Sequence, residues 1–150
     1  MDELCKIEIR LSPAARQGGF ETESLWARPV GNGLYELQSI PFFEYNLKLK
    51  DVVRCESEAD GLRFVEVVKA SGQETLRVFF GEEAAPEFVV SSISYIRKRG
   101  GVVEPGAERM FAVSVPSWTI LEEVDEELSN RDTEGWISFE SGSRKRTPSN

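Results

Sequence analysis

The run Gly33-Leu-Tyr-Glu-Leu-Gln-Ser-Ile-Pro-Phe-Phe-Glu-Tyr-Asn-Leu-Lys-Leu-Lys-Asp-Val-Val53 contains a strand, a proline corner and the start of a second strand. Apolar and polar side chains alternate along its first part, as they do on the two faces of an extended strand. Pro41 has no backbone N–H to donate and biases the preceding residue to an extended conformation, so we expect the strand to end there. We also expect burial of the rings that follow to make this corner structural. Those rings are Phe42, Phe43 and Tyr45.

Short alternating segments on both sides of this corner predict a strand-rich part over residues 1–70. Cys5, Ile7 and Ile9 alternate with charged residues, which is typical of a half-buried strand. Asn32-Gly33 predicts a tight hairpin turn, after a strand that we expect to close at Pro29. Several short strands separated by turn residues indicate a small twisted β-sheet or a partly closed barrel.

Residues 71–140 predict a β-α-β-β-α segment packed against those strands. The first helix is expected to begin at Pro86 and to stop at Gly100-Gly101. Thr119-x-x-Glu122 resembles a capping box and predicts the start of the second helix after Pro116. The sequence therefore predicts the α+β class, with a single domain over residues 1–140 and a disordered tail over residues 141–150.

Composition limits the classes of partner. The chain has 150 residues, 40% of them hydrophobic, which suffices for one sizeable core or for two small subdomains that share an interface, and we expect one domain. Its formal net charge of -8 disfavours non-specific binding to a phosphate backbone. The same charge would speed association with a basic protein surface, although acidic charge also serves solubility alone.

The start of the chain and its cysteines indicate the compartment. Met1-Asp-Glu-Leu-Cys-Lys is charged and lacks the apolar core of a signal peptide. No apolar run approaches the ~20 residues that a membrane helix needs. We therefore expect a cytoplasmic protein that does not associate with membranes. In that reducing compartment Cys5 and Cys55 should be free thiols that pack as small apolar groups.

A series of short motifs runs through most of the chain. They are Glu23-Ser-Leu-Trp-Ala27, Gly33-x-Tyr35, Ser39-Ile-Pro-Phe-Phe43, Asp51-Val-Val53, Asp60-Gly61, and Ser71-Gly72 with Arg77-Val78. In order and spacing they resemble the bacterial domain-of-unknown-function family four-two-six-five. Members often carry asparagine, glycine and histidine where this chain has Ser39, Lys50 and Gln73. The resemblance implies a bacterial cytoplasmic protein with the family's fold, and it leaves the activity open.

Histidine, the commonest acid–base group of enzymes, is missing from the chain. The chain contains no histidine, which excludes Ser-His and Cys-His nucleophilic machinery and removes the commonest ligand of transition metals. Its distant cysteines do not form a zinc site, and no Gly-rich phosphate loop follows a predicted strand. Glu56, Glu58 and Asp60 cluster at one hairpin end, where exposed acids are ordinary and acid–base catalysis is the less favoured interpretation. We predict no enzyme activity, no metal and no cofactor.

The last predicted helix carries a dense group of carboxylates. They are Glu122, Glu123, Asp125, Glu126 and Glu127. One interpretation is a solvated face whose carboxylates favour the positive end of the helix dipole. The other is an acidic docking surface for a protein partner.

Tryptophan can anchor such a surface, because it is favoured at the centres of protein interfaces. Trp26, between Leu25 and Ala27 in a predicted strand, is expected in the core. Trp118 and Trp136 are expected to be partly exposed. The predicted partner-binding set therefore consists of Trp118, Trp136 and the five helix acids.

Three functional classes follow. The first, which we predict, is a non-enzymatic protein that binds a basic protein, for example a cytoplasmic immunity protein or antitoxin that neutralises a bacterial toxin. The second is a nucleic-acid-associated regulatory module that would use Arg97-Lys-Arg99 and Arg144-Lys-Arg146, against which the net charge argues. The third is an enzyme that does not rely on histidine.

Overall fold

A computed structural model describes residues 3–13, 19–44, 46–106 and 109–141. The chain divides into two compact units, Met1–Gly72 and Gln73–Asn150. This boundary coincides with the change of character that the sequence shows after residue 70, and the α+β class is confirmed. The single domain over residues 1–140 stays a prediction. Tyr45 of the predicted corner and residues 142–150 of the predicted tail lie outside the described residues.

The first unit is a closed β-barrel with strand order β1-β2-β3-β4-β5. The strands are β1 (Cys5–Arg10), β2 (Thr22–Gly31), β3 (Leu34–Leu37), β4 (Val52–Glu58) and β5 (Gly61–Lys69). Sequential neighbours are antiparallel, so β1 and β5 run in the same direction and close the barrel as a parallel pair. Inward side chains such as Ile7 and Leu25 are 0% and 2% exposed. The alternation in the sequence therefore identified the inner face, and the structure establishes the closure that the sequence left open.

The Asn32-Gly33 turn is confirmed. Asn32 has a φ of 58° and Gly33 a φ of 74°, which is the left-handed pair that a tight hairpin of this kind requires. β2 continues past Pro29 to Gly31, so the predicted strand end at Pro29 is wrong. A shift of register between Pro29 and Gly31 explains the difference, because a β-bulge tolerates a proline near a strand end.

The corner loop, residues 38–51, leaves the barrel after β3 and returns at β4. Backbone hydrogen bonds close its neck, from Leu37 N to Asp51 O (2.9 Å) and from Lys50 N to Leu37 O (3.0 Å). Ile40 is 0% exposed and Pro41 is buried. We expected burial of the phenylalanine rings to stabilise this corner. That expectation is only partly correct, because Phe42 and Phe43 are half-buried.

The second unit is a βαββαβ domain. Its elements are β6 (Glu74–Phe80), α1 (Pro86–Lys98), β7 (Val102–Pro105), β8 (Met110–Val115), α2 (Trp118–Arg131) and β9 (Ile137–Ser141). The strands form an antiparallel sheet with the order β7-β8-β6-β9. This order and element sequence are those of the ferredoxin-like topology. The helices pack on the sheet face that presents Leu76, Val78 and Val113.

The ends of α1 follow the sequence prediction. Pro86 occupies the first turn, where its missing N–H costs nothing, and the chain turns at Gly100 with a φ of +89°. A Cβ on Gly101 would lie 2.5 Å from Cγ2 of Ile96, so only glycine fits there.

Two predictions for this unit need correction. The capping box at Thr119 is wrong, because the N-cap of α2 is Ser117, whose Oγ accepts a hydrogen bond from Ile120 N (3.2 Å). The β-α-β-β-α pattern lacked β9, whose last residue, Ser141, was placed in the tail. A strand of five residues with Ile137 and Phe139 as its apolar positions, next to a polar tail, gives too short an alternation to detect.

Candidate functional site

Buried carboxylates are the first groups to examine for chemistry, and in the barrel unit they serve the backbone. Glu23 on β2 is 8% exposed. Its carboxylate accepts hydrogen bonds from the backbone N–H groups of Phe42 (2.6 Å), Phe43 (3.1 Å) and Glu44 (3.3 Å). Because these donors occupy its oxygens, Glu23 is a structural group that fixes the corner loop.

Glu44 and Asp51 act in the same way within the loop. Glu44, 5% exposed, accepts hydrogen bonds from Ser12 N (2.9 Å) and from Asn46 Nδ2 (2.8 Å). Asp51, 2% exposed, accepts from Lys48 N (2.9 Å) and Ser71 N (2.8 Å). The Ser-Ile-Pro-Phe-Phe and Asp-Val-Val motifs of the sequence therefore take part in a network of carboxylates and backbone amides.

The acidic cluster at the β4–β5 hairpin is paired with an arginine. Glu56 accepts a hydrogen bond from Arg63 Nη2 (2.9 Å), and Glu58 accepts one from Arg63 Nε. All three side chains are exposed, and such pairs contribute little to stability. Glu58 and Asp60 also line a cavity of about 190 Å³. The other described residues that line it are Lys6, Glu8, Ser24, Gly61 and Leu62.

Cys5 and Cys55 are half-buried free thiols. Burial, with a smaller contribution from the nearby Cys5, raises the pKa of the Cys55 thiol from its ordinary value of 9.0 to about 11. The nucleophilic form of cysteine is the thiolate, which a lowered pKa would favour. Cys55 is therefore protonated at neutral pH and is a packing group.

The carboxylates of α2 fall into two groups. Glu123 forms an ion pair with Arg99 at the end of α1, and Glu127 forms one with Arg131 (2.7 Å). Asp125 accepts a hydrogen bond from Ser129 Oγ (3.3 Å).

Glu122 and Glu126 are both exposed and lie one helical turn apart. Within the described residues neither carboxylate makes an ion pair or a hydrogen bond. We call these two residues the acidic stripe. Glu122 and Glu126 are therefore the two carboxylates of the predicted acidic face that have no partner among the described residues, and partner binding by the five helix acids stays a prediction.

The predicted tryptophan anchors are partly exposed, as expected, and both also pack on the core of the second unit. The Trp136 ring meets the Phe88 ring edge to face, with centroids 5.5 Å apart. Asp132 fixes the backbone here, because its carboxylate accepts hydrogen bonds from Trp136 N (2.7 Å) and Ile137 N (3.1 Å). Trp136 therefore has a structural role, and partner binding by either ring stays a prediction.

Trp26 is not in the core, so the prediction for this residue is wrong. Its side chain is 47% exposed, while Leu25 and Ala27 beside it are 2% and 0% exposed. Neighbouring side chains on a strand point to opposite faces. Because Leu25 and Ala27 point into the barrel, Trp26 points outward. The Lys6 ammonium lies 5.3 Å from the centre of the Trp26 ring.

The basic runs differ in accessibility. Arg97 and Lys98 are exposed at the end of α1, whereas Arg99 is paired with Glu123. Residues 144–146 lie outside the described residues.

Among the described residues, no cluster of three or more Asp, Glu, Cys or His side chains could hold a metal ion. The same residues contain no helix that is both long and apolar enough to span a membrane.

Sequence reasoning did not identify the buried carboxylates. Glu23, Glu44 and Asp51 look like ordinary surface acids in the sequence, because their donors are backbone amides of a loop that tertiary structure brings close. It also did not single out Val90, which is 67% exposed. The helical period could have indicated this exposure, because Val90 does not lie on the helix face that contains the buried Ser92 and Ile96.

Comparisons with known proteins agree with the fold. A family model described as "Domain of unknown function (DUF4265)" matches residues 23–139. The chain is also similar to a solved structure described as "Novel crystal structure of a hypothetical protein from Neisseria gonorrhoeae", with 21% sequence identity and a TM-score of 0.72. That similarity covers 92% of this chain and 93% of the other and, at this identity, shows the fold alone. No curated protein matches the chain.

Proposed function

We propose that this chain, which belongs to the domain-of-unknown-function family DUF4265, is a non-enzymatic protein that binds a basic protein partner through α2. The observation that carries the proposal is the acidic stripe. Glu122 and Glu126 are exposed and, among the described residues, have no cation or hydrogen-bond donor, although the carboxylates next to them do. Free carboxylates on a fixed surface attract a basic partner over a long range and orient its approach.

The helix is well suited to present this stripe. Leu121, Val124 and Leu128 are each 0% exposed, so the opposite face of α2 is held in the core of the unit. Beside the stripe, Arg99 forms an ion pair with Glu123 and Arg131 forms one with Glu127. The backbone that presents the stripe therefore needs little reorganisation to bind, which favours affinity.

A cytoplasmic immunity protein that neutralises a basic toxin is the specific case we favour. Such a protein needs a surface that captures its target, and it needs no catalytic group. The net charge of -8 supports this case, because long-range attraction speeds the capture of a cationic toxin.

The experiment is affinity capture from a lysate of the source cell, quantified by mass spectrometry. The bait proteins are the parent chain, Glu122→Lys/Glu126→Lys, and the control Glu3→Lys/Glu21→Lys. The control changes the net charge by the same amount at exposed acids of the barrel unit. A basic protein captured by the parent and the control, and lost from the α2 variant, supports the proposal. Equal capture by all three baits excludes the acidic stripe as the contact.

A further inference from the structure

The outer side of α1 carries a groove made of two adjoining cavities of about 310 and 410 Å³ that share Val90. We call this feature the α1 groove. The described residues of the first cavity are Phe80, Pro86, Val89, Val90, Arg109 and Phe111. Those of the second are Val90, Ile93, Ser94, Arg97 and Lys98.

Apolar side chains form the floor of the α1 groove. Val90 is 67% exposed, which is the highest exposure among the large hydrophobic side chains of the described residues. Ile93 continues the apolar surface towards the end of the helix and is half-buried. The face of a helix that meets only solvent normally carries polar residues, and contiguous exposed apolar surface beside polar groups is typical of interaction sites.

Cations surround this floor. Arg97 and Lys98 line one end and Arg109 lines the other, and no carboxylate is among the described lining residues. The neighbouring acids Glu82, Glu83 and Glu87 are exposed but line neither cavity. Among the described residues that line the groove the charges are all positive, which is opposite in sign to the net charge of -8 of the chain.

The arginine at the first end is fixed in place. Arg109 Nε donates a hydrogen bond to Gly81 O (2.9 Å), and its Nη2 donates to Ala84 O (3.4 Å). These carbonyls belong to the segment between β6 and α1, so they hold the guanidinium over the start of the helix. A cation positioned before binding loses less side-chain freedom when it meets a carboxylate.

We propose that the α1 groove docks an acidic segment of a partner protein. An apolar side chain of that segment covers Val90 and Ile93, and its carboxylates meet Arg97, Lys98 and Arg109. Charge complementarity selects this occupant, because a basic or a neutral segment would leave the cationic rim without partners. The site is separate from the acidic stripe, which attracts a partner of the opposite charge, and the proposal does not depend on the function proposed for α2.

The test is an NMR titration of the 15N-labelled protein with two designed peptides. One is an amphipathic helix of leucine and glutamate, and the other carries lysine in place of each glutamate. The acidic peptide is expected to shift the backbone amides of Val90, Ile93, Arg97, Lys98 and Arg109, and the basic peptide is expected to leave them in place. Failure of the acidic peptide to shift these amides, or equal shifts with the basic peptide, overturns the proposal.

Variants of the groove and a control variant elsewhere test whether the acidic peptide binds in the groove. Val90→Asp places a carboxylate on the floor and should weaken binding of the acidic peptide about tenfold or more. Val68→Asp is the control, because Val68 is also exposed (50%) and lies on β5 of the barrel unit. Arg97→Glu/Lys98→Glu should weaken binding similarly and should reduce its salt dependence. Unchanged affinity in both groove variants overturns the proposal.

Self-association is the competing use of the surface, and light scattering tests it on the same samples. The mass in solution is expected to be the same for the parent chain and for Val90→Asp. If the parent is a dimer that Val90→Asp converts to a monomer, the groove holds a second copy and the proposal is wrong. Glu122→Lys/Glu126→Lys should bind the acidic peptide like the parent, so failure of one proposal does not count against the other.

Discussion

Lys50, near the end of the corner loop, has a strained backbone conformation. Its φ is 73°, in the left-handed region that side chains with a Cβ rarely adopt. Lys50 is exposed, so its side chain gains little from burial in return. The conformation is imposed by the neck of the loop, where Lys50 N donates to Leu37 O. Glycine, which the resemblance to the family implies at this position, would adopt this conformation without the strain of a Cβ.

Replacing Lys50→Gly should therefore raise the free energy of unfolding. Relief of the left-handed conformation is worth about 1–2 kcal/mol, and greater freedom of the unfolded chain offsets about 0.4–1 kcal/mol of it. We expect a net gain of about 1 kcal/mol in urea denaturation. Lys50→Ala is the control, since it removes the charge and keeps the strain. A Gly variant no more stable than the Ala variant would contradict this account.

Asp51 shows the opposite case, in which a buried side chain is held by the donors around it. Asp51→Asn keeps the shape, but its amide nitrogen must face a backbone N–H of either Lys48 or Ser71. We expect a loss of about 1–3 kcal/mol in the free energy of unfolding. Asp60→Asn, at an exposed turn, should change it by about 0.5 kcal/mol or less. Equal effects from the two substitutions would mean that the Asp51 hydrogen bonds do not hold the loop.

Cys55 should respond to pH as a buried neutral thiol. In the native protein, alkylation by iodoacetamide should be slow at pH 8 and should accelerate as the pH approaches about 11. Because its pKa is higher in the folded state than the ordinary 9.0, the unfolded chain loses this proton first. Its contribution to stability is complete below pH 9.0 and is lost as the pH rises towards about 11. Mass spectrometry after denaturation should find both cysteines alkylated, and rapid native alkylation of Cys55 at pH 8 would refute its burial.

At the scale of elements, local chemistry identified most helices and strands. Pro86 starts α1 and Gly101 lies just after its end, because each residue type suits that end of a helix. Asn32-Gly33 likewise specified the hairpin between β2 and β3. The start of α2 was harder, because Ser117 and Thr119 are both suitable N-caps. The structure selects Ser117, which has an extended backbone with φ of -159° and ψ of 165°, whereas Thr119 already lies inside the helix.

Ser117→Ala should consequently destabilise the second unit by about 1 kcal/mol, because Ile120 N loses its acceptor. Thr119→Ala is the matched comparison at an exposed helical position, where alanine has the higher helix propensity. Thermal denaturation should show a lower Tm for the Ser117 variant and a Tm near the parental value for the Thr119 variant. The reverse order would restore Thr119 as the cap.

At the scale of the whole molecule, the sequence predicted the α+β class and treated residues 1–140 as one domain, and it did not predict every strand pairing. The parallel pairing of Ile7 with Leu62 joins the first and last strands of the barrel, and no local pattern encodes a pairing so distant in sequence. β9 was missed for a similar reason, since its ladder with β6 is visible only in the fold.

The candidate site was half predicted. The acids of α2 are a visible cluster, yet only the structure shows that Arg99 and Arg131 pair with Glu123 and Glu127 and leave Glu122 and Glu126 exposed. The α1 groove could not be predicted, because its cations come from separate elements. Arg97 follows Val90 within α1, whereas Arg109 precedes β8 and is brought beside Val90 only by the fold of the unit.

The rate at which the captured partner associates with the protein tests the proposed function most directly. Stopped-flow measurements at low and at physiological salt would compare the parent chain with Glu122→Lys/Glu126→Lys. Since exposed charges act mainly on association, the variant should bind about tenfold more slowly at low salt and should depend less on salt, with a similar dissociation rate. A correctly folded variant that associates at the parental rate at low salt would show that the acidic stripe is only a solvated face.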